Sequence, residues 1–271
     1  MEKLVTNYHT HTKRCGHAYG EDEDFVLSAI KYGIKELGFS DHISFKNISA
    51  PYMRQDRSML SDYISSISHL KEKYKDKIKI HLGFEAEYIE EFVEDYKDLL
   101  ENHSIEYMIC GQHCFIKDNK QVFYNSFPHD EKMIEKYGKD VVKAIQSGLF
   151  KYIAHPDLFM NAYRVWDDKA KEVSRKIIEE AIKYNIPLEI NCNGIRYHYE
   201  KHKVSASGRV LNYYPCVEFW KMVKDYGALG IIGVDAHIEK DFLDGVTEEA
   251  LFFAKQNGIK LVSFLDIESK I

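Results

Sequence analysis

Short apolar runs alternate along the chain with longer segments in which apolar residues recur every three or four positions. The runs at 4–8, 36–40, 78–84, 107–111, 152–154, 188–191 and 229–234 read as strands, and the segments at 22–32, 59–74, 90–101, 132–147, 169–184 and 217–226 read as amphipathic helices. A helix at 247–256 and an apolar run at 261–265 finish the chain. Pro215 stands just ahead of one predicted helix, and Gly227 and Gly258 stand just after two others. Seven strand-helix repeats predict an α/β fold whose largely parallel sheet closes, or nearly closes, into a barrel. No Pro-, Gly- or Ser-rich linker or low-complexity tract interrupts the alternation, so residues 1–271 read as a single domain. Two polar and aromatic stretches, 115–129 and 194–214, are too long for ordinary connections, and both fall on the carboxyl-terminal face of the strands.

Composition narrows the class. With 45% hydrophobic and 30% charged residues, the chain has the makings of a globular core. A net charge of −6 argues against an extended surface for nucleic acid or anionic membrane. No uninterrupted apolar stretch approaches the roughly 18 to 20 residues that cross a bilayer. The cysteines, Cys15, Cys110, Cys114, Cys192 and Cys216, form an odd set without a C-x-x-C pair, and the first residues carry no apolar signal core. Both features predict a cytoplasmic protein. Histidine is abundant, 13 of 271, which raises the question of metal chemistry.

Position answers it. His9 and His11, with His17 close behind, follow the first predicted strand; Asp41 and His42 follow the second; Glu85 ends the third. His113 follows the fourth, His155 and Asp157 the fifth, and Asp235 and His237 the seventh. Carboxyl ends of parallel barrel strands converge on one mouth. In an extended strand residues i and i+2 face the same side, so His9 and His11 can reach one ion together, and so can Asp235 and His237. These candidates suffice for two or three divalent ions, with Glu85 able to bridge two of them. Nitrogen and oxygen ligands without thiolate suit Zn, Mn or Fe.

His9-Thr10-His11, His17, Ser40-Asp41-His42, Gly83-Phe84-Glu85, His113, His155-Pro156 and Gly233-Val234-Asp235-Ala236-His237 resemble, in order and context, the motifs of the PHP (polymerase and histidinol phosphatase) superfamily, over nearly the whole chain. Cys15-Gly16-His17-Ala18, and Leu188-Glu189-Ile190-Asn191 followed by Gly194-Ile195-Arg196, are similar to its monofunctional histidinol-phosphate phosphatases. The resemblance implies a distorted (β/α)7 barrel with three metals at the carboxyl-terminal face. It assigns His9, His11, Glu85 and Asp235 to one ion, the bridging Glu85 with His113 and His155 to a second, and His17, His42 and His237 to a third. It also implies a small-molecule phosphate ester as substrate, L-histidinol phosphate, in histidine biosynthesis.

Paired divalent ions acidify water and stabilise the attacking and leaving oxygens of phosphoryl transfer, and fixed arginines complement the charge gathered there. Arg164 follows the fifth strand and Arg196 the sixth, so both can overhang the mouth, and they match the family's phosphate-binding arginines. Asp235 is expected to steer the nucleophile and accept its proton, and Asp41 is one candidate acid for the leaving group. His198 and His202 ride the long segment after Arg196 as candidate substrate contacts, whereas His69, His81, His103 and His129 read as structural. Glu87 and Asp157 are candidates to neutralise an amino or imidazolium group. Arg175 reads as part of a solvated helix face; Arg14 and Arg209 fall in loops. Cys15, Cys114 and Cys192 read as packing residues. The competing readings are a PHP phosphoesterase for phosphotyrosine, another small phosphate ester or a nucleotide, a metal-assisted C–N hydrolase, and a metal-binding barrel without turnover. A proofreading nuclease module fits poorly with the negative charge and the lack of a basic aromatic groove.

Overall fold

The computed structural model describes residues 3–200 and 214–268, the side chains of 197–200 excepted. Strand β1 (Thr6–Asn7) lies parallel to β2 (Glu36–His42), β2 to β3 (Lys79–Ala86), and β3 to β4 (Tyr107–Cys110). The chain then turns back in an antiparallel hairpin, β5 (Cys114–Lys117) and β6 (Lys120–Phe123). The next position in the ring is a single residue: Ile153 forms parallel bridges to Cys110 on one side and Leu188 on the other. β7 (Leu188–Asn191) pairs with β8 (Leu229–Gly233). A parallel bridge between Thr10 and Ala236 closes the ring, with His11 N donating to Ala236 O at 2.9 Å. At the opposite end the closure differs. There β9 (Lys260–Leu261) joins β8, and Thr6 Oγ1 donates to Ser263 O, so the carboxyl-terminal segment reaches from β8 to β1 and distorts the barrel.

Helices follow the ring positions in turn: α1 (Asp22–Tyr32), α2 (Leu60–Lys73), α3 (Val93–Asn102), α4 (Glu131–Gln146), α5 (Met160–Tyr163), α6 (Asp168–Tyr184), α7 (Cys192–Glu200), α8 (Val217–Tyr226) and α9 (Val246–Gln256). Their sequences explain their limits. α1 starts at a capping box between Glu21 and Asp24 and buries Phe25, Val26, Ala29 and Tyr32 along one stripe. α6 starts where the Asp167 carboxylate accepts from Ala170 N at 2.9 Å, and its buried stripe of Val173, Ile177, Ile178 and Ala181 packs on α4. No helix among the described residues is long and apolar enough to cross a membrane.

Strand alternation sorts the core into two bodies. Leu37, Phe39, Ile80, Leu82, Phe84, Met108, Ile190 and Ile232 point outward beneath the helices. Tyr8, Tyr107, Ile109, Tyr152, Ala154 and Ile231 form a separate cluster inside the ring, with Ile267 of the carboxyl-terminal segment. That inner plug is the floor beneath the mouth.

The structure departs from the expected elements in three places. The fifth strand, expected at 152–154, is reduced to the Ile153 bridges, because the chain leaves the sheet at His155-Pro156. The stretch 115–129, too long for an ordinary connection, holds most of the β5–β6 hairpin and a turn at Tyr124–Ser126, none of which was assigned from the sequence. The connection expected from residue 194 begins instead inside α7, whose first turn is held by Asn191 Oδ1 accepting from Gly194 N at 2.8 Å.

Candidate metal centre and active site

Three groups of side chains meet at the mouth. His9 Nε2, His11 Nε2, Glu85 Oε2 and Asp235 Oδ1 form the first. The two imidazole nitrogens are 3.2 Å apart; Asp235 Oδ1 lies 3.4 and 3.0 Å from them, and Glu85 Oε2 3.4 and 3.5 Å. A tetrahedron of ligands about 2.0–2.1 Å from a central ion has edges of roughly 3.3–3.4 Å, and these five separations are close to that spacing. The other oxygen, Glu85 Oε1, faces the second group, 3.0 Å from His155 Nε2 and 3.5 Å from His113 Nε2. His17, His42 and His237 form the third, and His42 Nδ1 also lies 3.1 Å from Glu85 Oε2. All nine ligand residues expected from the sequence are thus gathered at one place.

The donor set fits divalent ions. Glu85 Oε2 and Asp235 Oδ1 are buried and accept no hydrogen bond, an expensive arrangement for carboxylate oxygens that a cation would relieve. Burial alone would raise both carboxyls. The imidazoles outweigh it, His113, His9 and His42 around Glu85, and His9, His11 and His237 around Asp235, and both stay well below the usual carboxylate range. Burial, aided by neighbouring His11, pushes His237 down to about 3, and burial likewise carries His42 well below its ordinary value, so both are neutral imidazoles able to ligate. Two ligands hold strained backbone: His155 has φ 32° and Asp235 φ 50°, in the left-handed region that residues with a Cβ rarely enter.

Behind the ligands lies a layer of supporting groups. Glu189 Oε1 is 2.8 Å from His9 Nδ1, while Glu189 Oε2 accepts from His155 N at 3.0 Å and from Asn191 Nδ2 at 2.9 Å. Asn191 Nδ2 also reaches Asp235 Oδ2 at 3.1 Å. Glu87 Oε1 lies 3.2 Å from His113 Nδ1, and peptide carbonyls face the Nδ1 atoms of His17 and His237, Cys15 O at 3.2 Å and Asp235 O at 3.0 Å. Such contacts fix ring orientation and tautomer. Two glycines make the room: a Cβ on Gly111 would lie 1.8 Å from Glu85 Oε1, and one on Gly233 1.7 Å from Glu189 Oε1.

The mouth opens into a cavity of about 850 Å³ whose walls include Tyr19, Tyr52, Phe123, Asn125 and Tyr214. Arg164 and Arg196 both line it. Arg196, on α7, is buried, with Nε donating to Asp244 at 2.7 Å, Nη2 donating to Asp241 O at 3.3 Å, and the Asp241 carboxylate 3.3 Å from Nε. Arg164 ends α5 in the left-handed conformation, with Nε donating to Asn161 O at 2.8 Å. The His198 side chain, like His202 and Arg209, lies outside the described residues.

Several expectations are corrected. Glu87 and Asp157 do not face the cavity. Glu87 is buried against Arg54 and His113, and Asp157 is buried beneath α8, where it accepts from Cys216 N at 2.6 Å and Trp220 Nε1 at 3.1 Å. Asp41 is fully buried, facing His11 Nδ1 at 3.6 Å and accepting from Thr12 Oγ1, so it supports a ligand and is out of reach of a leaving group. Arg14 pairs with Asp22 and Asp62, and Arg175 with Glu179 on the solvated face of α6. Cys15 is fully buried as a packing residue, with its thiol within 4.8 Å of His11 and His237. His81 lies inside the ring, 3.2 Å from Glu36, as a structural residue. Sequence reasoning gave no role to Glu189 or Arg54. The signal for Glu189 was available, a carboxylate between Leu188 and Ile190 that alternation turns into the barrel.

A family model described as PHP domain matches residues 7–193. "Probable histidinol-phosphatase" of Deinococcus radiodurans is 25% identical over 237 residues, 84% of this chain and 85% of that protein. Histidinol-phosphatase of Bacillus subtilis is 23% identical over 218 residues, covering 70% of this chain and 81% of its own. Among solved structures, histidinol phosphate phosphatase from Lactococcus lactis, complexed with Zn, L-histidinol and phosphate, superposes with a TM-score of 0.72 at 18% identity, covering 98% of this chain and all of that one. That likeness establishes the fold. With the family model spanning most of its length, the chain belongs to the PHP domain family.

Proposed function

We propose that this chain is a metal-dependent phosphomonoesterase that hydrolyses L-histidinol phosphate to L-histidinol and phosphate as one cytoplasmic catalytic unit spanning residues 1–271. The observation that carries the reading is the Glu85 carboxylate, whose two oxygens face two different histidine groups at the base of a cavity rimmed by Arg164 and Arg196. The names borne by the relatives from Bacillus subtilis and Lactococcus lactis support the substrate. The free cysteines support a reducing compartment.

His9, His11, Glu85 and Asp235 would hold one divalent ion, Glu85, His113 and His155 a second, and His17, His42 and His237 a third, drawn from Zn, Mn or Fe. Such ions supply positive charge for phosphoryl oxygens and lower the pKa of water. Asp235, held at Oδ2 by Asn191 and with Oδ1 among the ligand atoms, orients the attacking water and accepts its proton. Arg196, anchored through Nε to Asp244 and through its terminal nitrogens to Val234 O and Asp241 O, sets a fixed positive charge in the cavity wall for the phosphoryl group, and Arg164 supplies a second. The tyrosines and Phe123 of the cavity wall offer flat surfaces to a ring such as imidazole.

The same aromatic wall suits phosphotyrosine, so the deciding experiment compares substrates. Zn- or Mn-loaded protein should release phosphate from L-histidinol phosphate with a kcat/KM at least tenfold above that for phosphotyrosine, a simple phosphate ester or a nucleotide. A higher value for any of these would replace the substrate. Fewer than two ions per chain by elemental analysis would remove the multinuclear reading.

A further inference from the structure

We infer that Arg54 is a positioning residue for the metal centre: it clamps the Glu87 carboxylate so that His113 donates through Nδ1 and offers Nε2 to an ion shared with Glu85. Arg54 lies in the connection after β2 and is almost completely buried, at 2% exposure. Its terminal nitrogens hold Glu87 like a fork, Nη1 donating to Oε2 at 3.2 Å and Nη2 to Oε1 at 3.0 Å. Nη1 also donates to Ile43 O at 2.9 Å, Nη2 to Gln121 Oε1 at 3.2 Å, and the guanidinium lies 3.9 Å from the centre of the Phe45 ring. One cation thus ties together the connection after β2, the end of β3 and the β5–β6 hairpin.

Stability alone does not explain this arrangement. A buried ion pair gives little net stabilisation over apolar residues of equal volume, because both charges lose their hydration. Geometry does explain it. A carboxylate held at both oxygens cannot rotate, so Oε1 stays 3.2 Å from His113 Nδ1. With Nδ1 committed as donor, Nε2 carries the lone pair, and it points at Glu85 Oε1, 3.5 Å away. His155, the other imidazole of this group, has no hydrogen-bond partner at Nδ1, so the group depends on His113 for its order. A lysine could supply the charge of Arg54 but not the fork.

The inference rests on the metal-centre reading, and its test does not require the substrate to be right. Arg54→Met, Arg54→Lys and the double variant Arg54→Met with Glu87→Gln are compared with the wild-type chain by circular dichroism, by Zn titration with elemental analysis after dialysis, and by nitrogen–proton spectra of the histidine rings. The weakest-held ion of the Arg54→Met chain should bind about 10- to 100-fold less tightly. The His113 Nδ1–H signal should be lost, and kcat should fall with KM changed less than about threefold. Arg54→Lys should recover part of the affinity. The double variant buries no charge and keeps the question open to test if Arg54→Met fails to fold; it too should lose the ion, because the amide at position 87 is no longer clamped. Wild-type Zn affinity together with a retained His113 signal in a folded Arg54→Met chain, or in the double variant, would overturn the role. Failure of the wild-type protein to hydrolyse L-histidinol phosphate would overturn the substrate and leave the Zn and ring measurements intact.

Discussion

The two ends of the barrel are built from the same strands and solve opposite problems. At the floor, large side chains fill the ring and find partners for their polar tips. Tyr107 Oη donates to Tyr8 O at 2.9 Å and to Phe39 O at 3.1 Å, and Tyr8 Oη donates to Glu36 at 2.8 Å. At the mouth, Glu85 Oε2, Asp235 Oδ1, His11 Nδ1 and His155 Nδ1 are buried without a hydrogen-bond partner, and two ligands sit on strained backbone. The floor is complete as a packed core, whereas the mouth is complete only with cations. Stability is supplied at one end, and the other end gives some of it up for chemistry.

Replacing one residue at each end tests that division, and the larger effect is expected at the mouth. Asp235→Asn keeps the shape but cannot take a proton. It should lower kcat by about 10²- to 10⁴-fold in a chain that still folds, because Asn191 and the surrounding imidazoles stay in place. Tyr107→Ala should do the reverse. It opens a cavity in the floor and should cost about 3–5 kcal/mol in denaturant unfolding, while kcat measured well below the melting temperature stays within about twofold. A Tyr107→Ala chain that folds normally and loses turnover as Asp235→Asn does would erase the distinction between the two ends.

The mouth was far more legible in the sequence than what lies behind it. His9, His42, Glu85, His113, His155 and Asp235 each follow a run of apolar residues, so strand periodicity alone carries them to one face. Supporting contacts follow no such rule. Arg54 finds Glu87 33 residues later, and Asp157 finds Trp220 63 residues later. Nothing in the local spacing of either residue announces its partner, and a carboxylate near a strand end looks the same whether it faces the cavity or a buried guanidinium. The one-residue fifth strand was obscured for a related reason. Its pairing comes from neighbours on both sides, while its own sequence is cut short by Pro156.

Glu189 sits where the two ends meet, and it sharpens the comparison with a smaller effect on each. One of its oxygens serves both ends, accepting from Tyr152 Oη of the floor at 3.3 Å while holding His9 Nδ1 at 2.8 Å. The other accepts from His155 N and Asn191 Nδ2. Every neighbour of this carboxylate is therefore a donor, and an amide cannot satisfy them all. In Glu189→Gln, the NH2 group must face either the His155 and Asn191 donors or the His9 and Tyr152 pair. The expected result is about a 10- to 100-fold loss of affinity for the ion held by His9, read by Zn titration, together with about 1–3 kcal/mol of lost stability, read by denaturant unfolding of the metal-free protein. A loss confined to affinity would assign Glu189 to the mouth alone, and a loss confined to stability would assign it to the floor. The shared oxygen requires both losses, because the contact that orients His9 also satisfies the Tyr152 hydroxyl that closes the plug beneath it.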